Sequence, residues 1–310
     1  MTTSAPADWA RRDERGSHVA LTLMRWLSLG LGRTVSRLLL PFIAMYFYIA
    51  ASAARRASRS YLTRALGRPA TWIDVLRHFH AFASTVHDRV YLLNDRFDQF
   101  EIELESADEV DRAFDAGPGA FLVGAHFGSF EVLRAATRSA AARGRRYDVT
   151  MVMYEANAKR INAALAALNP KATPRIIGLG RPDAMLQVQQ ALDDGQLVGF
   201  LADRTLVHQP TLTVAFLGAP AAFPLGAFRL AALLRRRVLL MQGIYLGGNR
   251  YRVRFAPIAD FSSMAAGGRD AAVQEAVRRY AGELEQACRT HPYNWFNFFD
   301  FWKVDGESNY

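Results

Sequence analysis

At 310 residues and 51% hydrophobic content, the chain is long enough to bury a sizeable core as one large domain or two small ones, which excludes a disordered or fibrous protein. Thirty-eight Lys and Arg against 29 Asp and Glu leave a formal charge of +9, a balance that attracts an acidic membrane, an acidic carrier or nucleic acid without choosing among them. The single cysteine, Cys288, rules out an internal disulfide and permits a reducing compartment.

Near the amino terminus, Leu21, Met24, Leu27, Leu31 and Val35 recur at helical spacing among Arg25, Arg33 and Arg37, the pattern of an amphipathic helix lying on anionic lipid. Residues 38–54 follow without a charge; as a helix they reach about 26 Å, against a hydrocarbon core of about 30 Å. Pro41 suits a first helical turn, and Tyr46 and Tyr48 suit an interface. Arg55, Arg56, Arg59, Arg64 and Arg68 close the other side. Basic flanks on both sides favour attachment over spanning, with a buried core helix as the alternative. A cleaved signal peptide is disfavoured, because many charged residues precede the apolar run. Residues 1–70 are therefore read as a membrane-anchoring helical segment and residues 71–310 as a single further domain.

Residues 72–93 place Trp72, Val75, Leu76, Phe79, Val86, Val90 and Leu93 on one helical face. His78, His80 and His87 in this segment are wrongly spaced to share a metal ion and read as helix-face residues. From residue 100 onward, strands and helices alternate. Strands are predicted at 100–105, 121–125, 149–154, 175–177, 197–202, 212–217, 238–246 and 251–255, and helices at 129–143, 156–168, 182–194, 225–236 and 270–290. Gly218, Pro220, Pro224 and Gly226 predict a stiff loop between them. The pattern is that of an α/β fold, a mixed and mostly parallel sheet flanked by helices.

Residues 121–131, F-L-V-G-A-H-F-G-S-F-E, read as an apolar strand that stops at small residues and enters a helix, the place where α/β sheets build their sites. His126 stands at its mouth. Glu131, about one turn into the helix, can fold back to one ring nitrogen, fix the tautomer and leave the other nitrogen to accept a hydroxyl proton. Gly128, which lets substrate approach closely, and Ser129 beside it are read as substrate-binding positions at a helix start suited to an oxyanion or phosphate. A core histidine with one backbone hydrogen bond is the alternative reading.

The A-H-F-G-S-F-E run (125–131) resembles the His-x4-acid motif of the lysophospholipid acyltransferase superfamily, and specifically its lipid A biosynthesis acyltransferase branch. G-Q-L-V-G-F-L-A-D-R (195–204) is similar to the branch's strand ending in an acidic residue, and F-L-G-A-P-A-A-F-P-L-G (216–226) to the block after it. The apolar anchor followed by R-R-A-S-R-S-Y-L (55–62) is similar too. The resemblance implies a glycerolipid acyltransferase-like fold behind amino-terminal membrane-binding helices, on the cytoplasmic face of the bacterial inner membrane. It implies transfer of a fatty acyl group from a thioester, on acyl carrier protein or coenzyme A, to a hydroxyl of a lipid or glycolipid, with no cofactor or metal. His126 is then the base and Glu131 its orienter. Asp203 lines the same cleft and Arg204 takes a phosphate or carboxylate, mutual pairing of those two being the alternative. Phe223 walls an acyl tunnel. The chain departs from the branch in lacking its arginine after the second catalytic-domain strand, where residues 153–157 read M-Y-E-A-N and Arg160 is the nearest candidate. The aromatic carboxy terminus, P-Y-N-W-F-N-F-F-D-F-W (292–302), is similar to the acyltransferases of aryl polyene biosynthesis.

Two other classes stand beside acyl transfer: a membrane-associated glycosyltransferase, and a non-catalytic lipid-binding protein on the same fold. A serine hydrolase is disfavoured because no G-x-S-x-G occurs. Nucleic-acid binding is disfavoured because the basic residues are scattered or flank the apolar run.

Overall fold

The computed structural model describes residues 30–302, apart from 143, 146, 155–168, 170–174, 181–182, 206–208 and 265–266. Leu21, Met24, Leu27, the helix expected at 156–168 and Arg160 lie outside the described residues.

Helix α1 (Gly30–Ala50) passes through a 3-10 turn at Arg37–Leu39, and Pro41 then occupies the first turn of the next stretch, where its missing N–H costs nothing. The chain bends by 100° into α2 (Ser52–Leu66), which ends at Gly67 in the left-handed conformation, φ 65°. Among the described residues no single helix is long and apolar enough to cross a membrane; α1 and α2 meet that measure only as a bent pair. Leu40 and Ala44 of α1 are buried where it packs on the helix formed by Trp72–Leu93, whereas Phe42 is 73% and Ile49 67% exposed, with Leu38 and Tyr46 beside them. Spacing near one helical turn puts these four on the outward face.

Helix α3 (Trp72–Leu93) opens with a capping box, in which the Thr71 hydroxyl accepts the Asp74 N–H and the Asp74 carboxylate accepts the Thr71 N–H. His78 on it is fully buried. Its Nε2–H donates to the Trp295 carbonyl at 2.9 Å and Ser58 Oγ bonds Nδ1 at 2.8 Å, while burial pulls its pKa down to about 4. It is a satisfied core histidine that pins α2 and the carboxy-terminal segment together.

Among the described residues, seven strands form one sheet: β1 (Glu101–Glu105), β2 (Ala120–Gly124), β3 (Val149–Tyr154), β4 (Arg175–Leu179), β5 (Leu197–Leu201), β8 (Arg237–Gly247) and β9 (Arg250–Asp260), in the order β1-β9-β8-β2-β5-β3-β4. All pairings are parallel except the β8–β9 hairpin, as expected. Central β2 is buried throughout, which requires the unbroken apolar run A-F-L-V-G rather than an alternating one. Phe121 and Val123 face one core layer, and Ala120 and Leu122 the other. At the edge, Glu101, Glu103 and Glu105 of β1 register with Arg250, Arg252 and Arg254 of β9, and Arg252 Nε lies 2.9 Å from Glu103 Oε2. A charged edge strand discourages pairing with another chain.

The loop expected between 218 and 226 is instead a strand. β7 (Ala219–Pro224) pairs antiparallel with β6 (Thr211–Phe216) as a separate hairpin, turned by Leu217 at φ 51° and Gly218 at φ 79°. Its prolines are tolerated because a two-stranded ribbon consists only of edges. The helix expected from 129 starts late, as a 3-10 turn at Glu131–Leu133 followed by α5 (Arg134–Ala142); α4 (Asp108–Asp115) precedes β2. Helices α6 (Ala184–Asp193), α7 (Gly226–Leu233) and α8 (Arg269–Thr290) flank the sheet.

Candidate active site

Strands β2 and β5 are parallel neighbours, with Gly124 opposite Leu201. The ladder runs one step further, Ala202 N–H donating to the Gly124 carbonyl at 2.9 Å. The second residues past the two partners, His126 and Asp203, thus leave the same sheet edge side by side. His126 Nδ1 lies 2.8 Å from Asp203 Oδ1. Asp203 Oδ2 accepts the His126 backbone N–H at 3.0 Å and the Trp295 indole N–H at 2.9 Å.

Asp203 is fully buried. Burial alone pushes its carboxyl up, yet His126, Arg204 and the Trp295 donor together hold its pKa down at about 2. A carboxylate only accepts, so the proton between the two side chains sits on Nδ1 and the Nε2 lone pair is free. Burial lowers the His126 pKa, and the positive charges of Arg204 and Arg89 add to that against the pull of Asp203. The imidazole is therefore a neutral base at pH 7, with 31% of its side chain still open to solvent.

The carboxy-terminal segment roofs this pair. Phe127 bridges Trp295 in antiparallel fashion, Phe296 N–H donates to the His126 carbonyl at 2.7 Å, and Gly128 N–H to the Asn294 carbonyl at 2.8 Å. Neither Trp295 nor Asn294 was singled out from the sequence.

Glu131 is placed differently from the sequence reading. The carboxylate on the imidazole is that of Asp203; Glu131 is buried, accepts the Ser129 hydroxyl at 3.1 Å and lies 2.6 Å from Arg89 Nε. A residue five positions on meets His126 only if a helix begins at once, and here residues 127–129 are kept out of a helix by backbone contacts to Trp295, Asn294 and Gly243.

Gly128 and Ser129 serve the backbone here. At Gly128, φ is 62° and an added Cβ would stand 1.9 Å from the Gly243 carbonyl oxygen, so the glycine allows β8 to approach closely. Ser129 is buried, its N–H donating to Gly243. Gly128→Ala is expected to cost more than about 3 kcal/mol, combining a left-handed residue with a backbone clash; thermal unfolding measures this, and an unchanged midpoint would show the approach to be dispensable. Phe223 is fully buried among Phe216, Tyr280 and Phe301. Arg204 donates to the Phe296 carbonyl at 3.3 Å and lies over the Phe299 ring.

Against known proteins, the model of the bacterial lipid A biosynthesis acyltransferase family matches residues 18–304. The chain belongs to this family. No curated protein matches it. Membership makes the chain an acyltransferase with an acyl donor and a lipid acceptor, and the match spans every element described above from α1 to the aromatic segment that covers His126.

Proposed function

We propose that this acyltransferase moves a fatty acyl group from an acyl thioester, carried by acyl carrier protein, to a hydroxyl of a lipid or glycolipid, with His126 as general base. Nε2 takes the hydroxyl proton as its oxygen attacks the thioester carbon. The C–O bond forms, the C–S bond breaks, and the leaving thiolate recovers the proton from His126. Asp203 steadies the imidazolium that exists between those two events. The observation that carries the reading is the imidazole held with Nδ1 2.8 Å from a buried carboxylate at the ends of two parallel strands. Glu131 contributes from the rim, through Arg89 and Ser129. Arg204 beside the pair supplies positive charge. The +9 surface suits an acidic carrier. The likeness of the carboxy terminus to aryl polyene acyltransferases makes a non-phosphorylated hydroxyl the first acceptor to assay.

The test is direct. Purified protein is incubated with acyl carrier thioester or with nucleotide-sugar, each with a candidate lipid acceptor, and the consumption of each donor is followed. Thioester consumption that requires acceptor supports the reading, nucleotide-sugar consumption replaces it with glycosyl transfer, and consumption of neither leaves lipid binding alone.

We also propose that the exposed face of α1 seats the enzyme on the cytoplasmic face of the inner membrane. Phe42 and Ile49 there are worth about 2 kcal/mol each when buried. The double variant Phe42→Glu/Ile49→Glu is expected to bind anionic phosphatidylglycerol vesicles at least about 10-fold more weakly with an unchanged melting temperature. Undiminished co-sedimentation would dismiss α1 as the anchor.

A further inference from the structure

We infer that Arg89, on α3, is a positioning residue for acyl transfer, holding the Glu131 carboxylate at the rim of the His126 site; this rests on the reading of His126 given above. Arg89 Nε stands 2.6 Å from Glu131 Oε1, with Ser129 Oγ at 3.1 Å from the other oxygen. The contact is an ion pair rather than an aligned hydrogen bond, since the Nε–H finds no acceptor in line. Glu131 has only 8% of its side chain exposed, and a carboxylate so covered is costly without a partner. Arg89, 37% exposed, is thus the group that lets an acidic side chain sit between the 3-10 turn and α3.

The base from which Arg89 reaches is itself fixed. Its neighbour Asp88 is fully buried and accepts from Arg33 Nε at 2.9 Å, Arg37 Nη1 at 3.3 Å and Tyr251 Oη at 2.8 Å. Arg37 also donates to Tyr245 Oη at 3.0 Å. Adjacent helical residues point about 100° apart, so one turn of α3 is locked toward α1 and β9 through Asp88 while Arg89 faces Glu131. A side chain anchored this way holds its partner in one place instead of following it.

Arg89 also acts on the imidazole. The charged groups around His126 are Asp203 on Nδ1, Arg204 beside it, and Arg89 with Glu131 at the rim. Arg89 disfavours the protonated ring, so losing its charge lets the His126 pKa rise. If the freed Glu131 then turns toward the ring, the shift is in the same direction.

The experiment measures kcat/KM for acyl carrier thioester against pH in full-length Arg89→Met, Arg89→Lys, Glu131→Gln and the two double variants, with melting temperatures alongside. Arg89→Met and Glu131→Gln are each expected to lose about 10- to 100-fold, mostly in kcat. The double variant should be no worse than the poorer single one, because residues acting as a unit are not additive. The acid limb of the Arg89→Met profile should move to higher pH, and Arg89→Lys, which keeps charge but not the planar contact, should recover part of the rate with the limb near its native place. Should Arg89→Met fail to fold, Arg89→Lys with Glu131→Gln gives the same test of additivity. Losses that multiply in the double variant, or a rate and acid limb unmoved by Arg89→Met, would overturn the assignment. Full activity in His126→Ala removes the underlying acyl-transfer reading; a dead His126→Ala beside multiplying losses removes Arg89's role alone.

Discussion

His126→Ala is expected to lose at least about 10³-fold in kcat/KM for acyl transfer while remaining folded, within the range that general-base assistance contributes. Folding should survive because the ring packs at the sheet edge with 31% of its side chain open. Asp203 keeps two donors after the ring is gone, the residue 126 backbone N–H and the Trp295 indole. The pH dependence of the native enzyme provides a second check with a definite sign. The base works only when unprotonated, so activity falls as pH drops through the His126 pKa. Burial and the flanking arginines set that pKa below 6.5, so kcat/KM should be flat at neutral pH and decline only below about 6.5. Native-like acyl transfer by the alanine variant would end the proposal that this imidazole is the base. An acid limb centred above 6.5 would mean that Asp203 outweighs burial.

The strands that build the site were legible because β2 and, up to its last residue, β5 are buried on both faces and read as continuous apolar runs between turn residues. β7 was not, because Pro220 and Pro224 look like breakers until the ribbon is known to have only edges. His126 stood out as the polar residue at the end of such a strand. Helical spacing, the relation one sequence displays, points along the chain to Glu131 as its partner. The decisive relation runs across the sheet. V-G-A-H and F-L-A-D end alike, and once β2 and β5 are parallel neighbours with Gly124 opposite Leu201, His126 and Asp203 must meet. The sequence places Asp203 in the cleft, but nothing in it orders the strands. Trp295 and Asn294 were less accessible still, since they reach the site from beyond α8 and act partly through backbone groups that any residue carries.

Asp203→Asn carries the second large effect, and its geometry separates orientation from charge. Asp203 Oδ2 receives two N–H donors, from the residue 126 backbone and Trp295. An asparagine must turn its carbonyl oxygen toward that pair, because its NH2 group there would face two donors. The NH2 then points at Nδ1 and donates, so Nδ1 must accept and the ring proton moves to Nε2. Nε2, the atom required to take the hydroxyl proton, is thereby occupied. The expected loss is about 10²- to 10⁴-fold in kcat with KM nearly unchanged, the upper end being the size of the same tautomer reversal in the serine protease triad. The variant should still fold, since volume and the Trp295 bond persist. Nitrogen NMR of labelled histidine distinguishes the tautomers directly: His126 should be protonated at Nδ1 in the native protein and at Nε2 in Asp203→Asn. A slow variant whose Nδ1 stays protonated would show that the charge of Asp203, rather than its hold on the ring, is what the reaction uses.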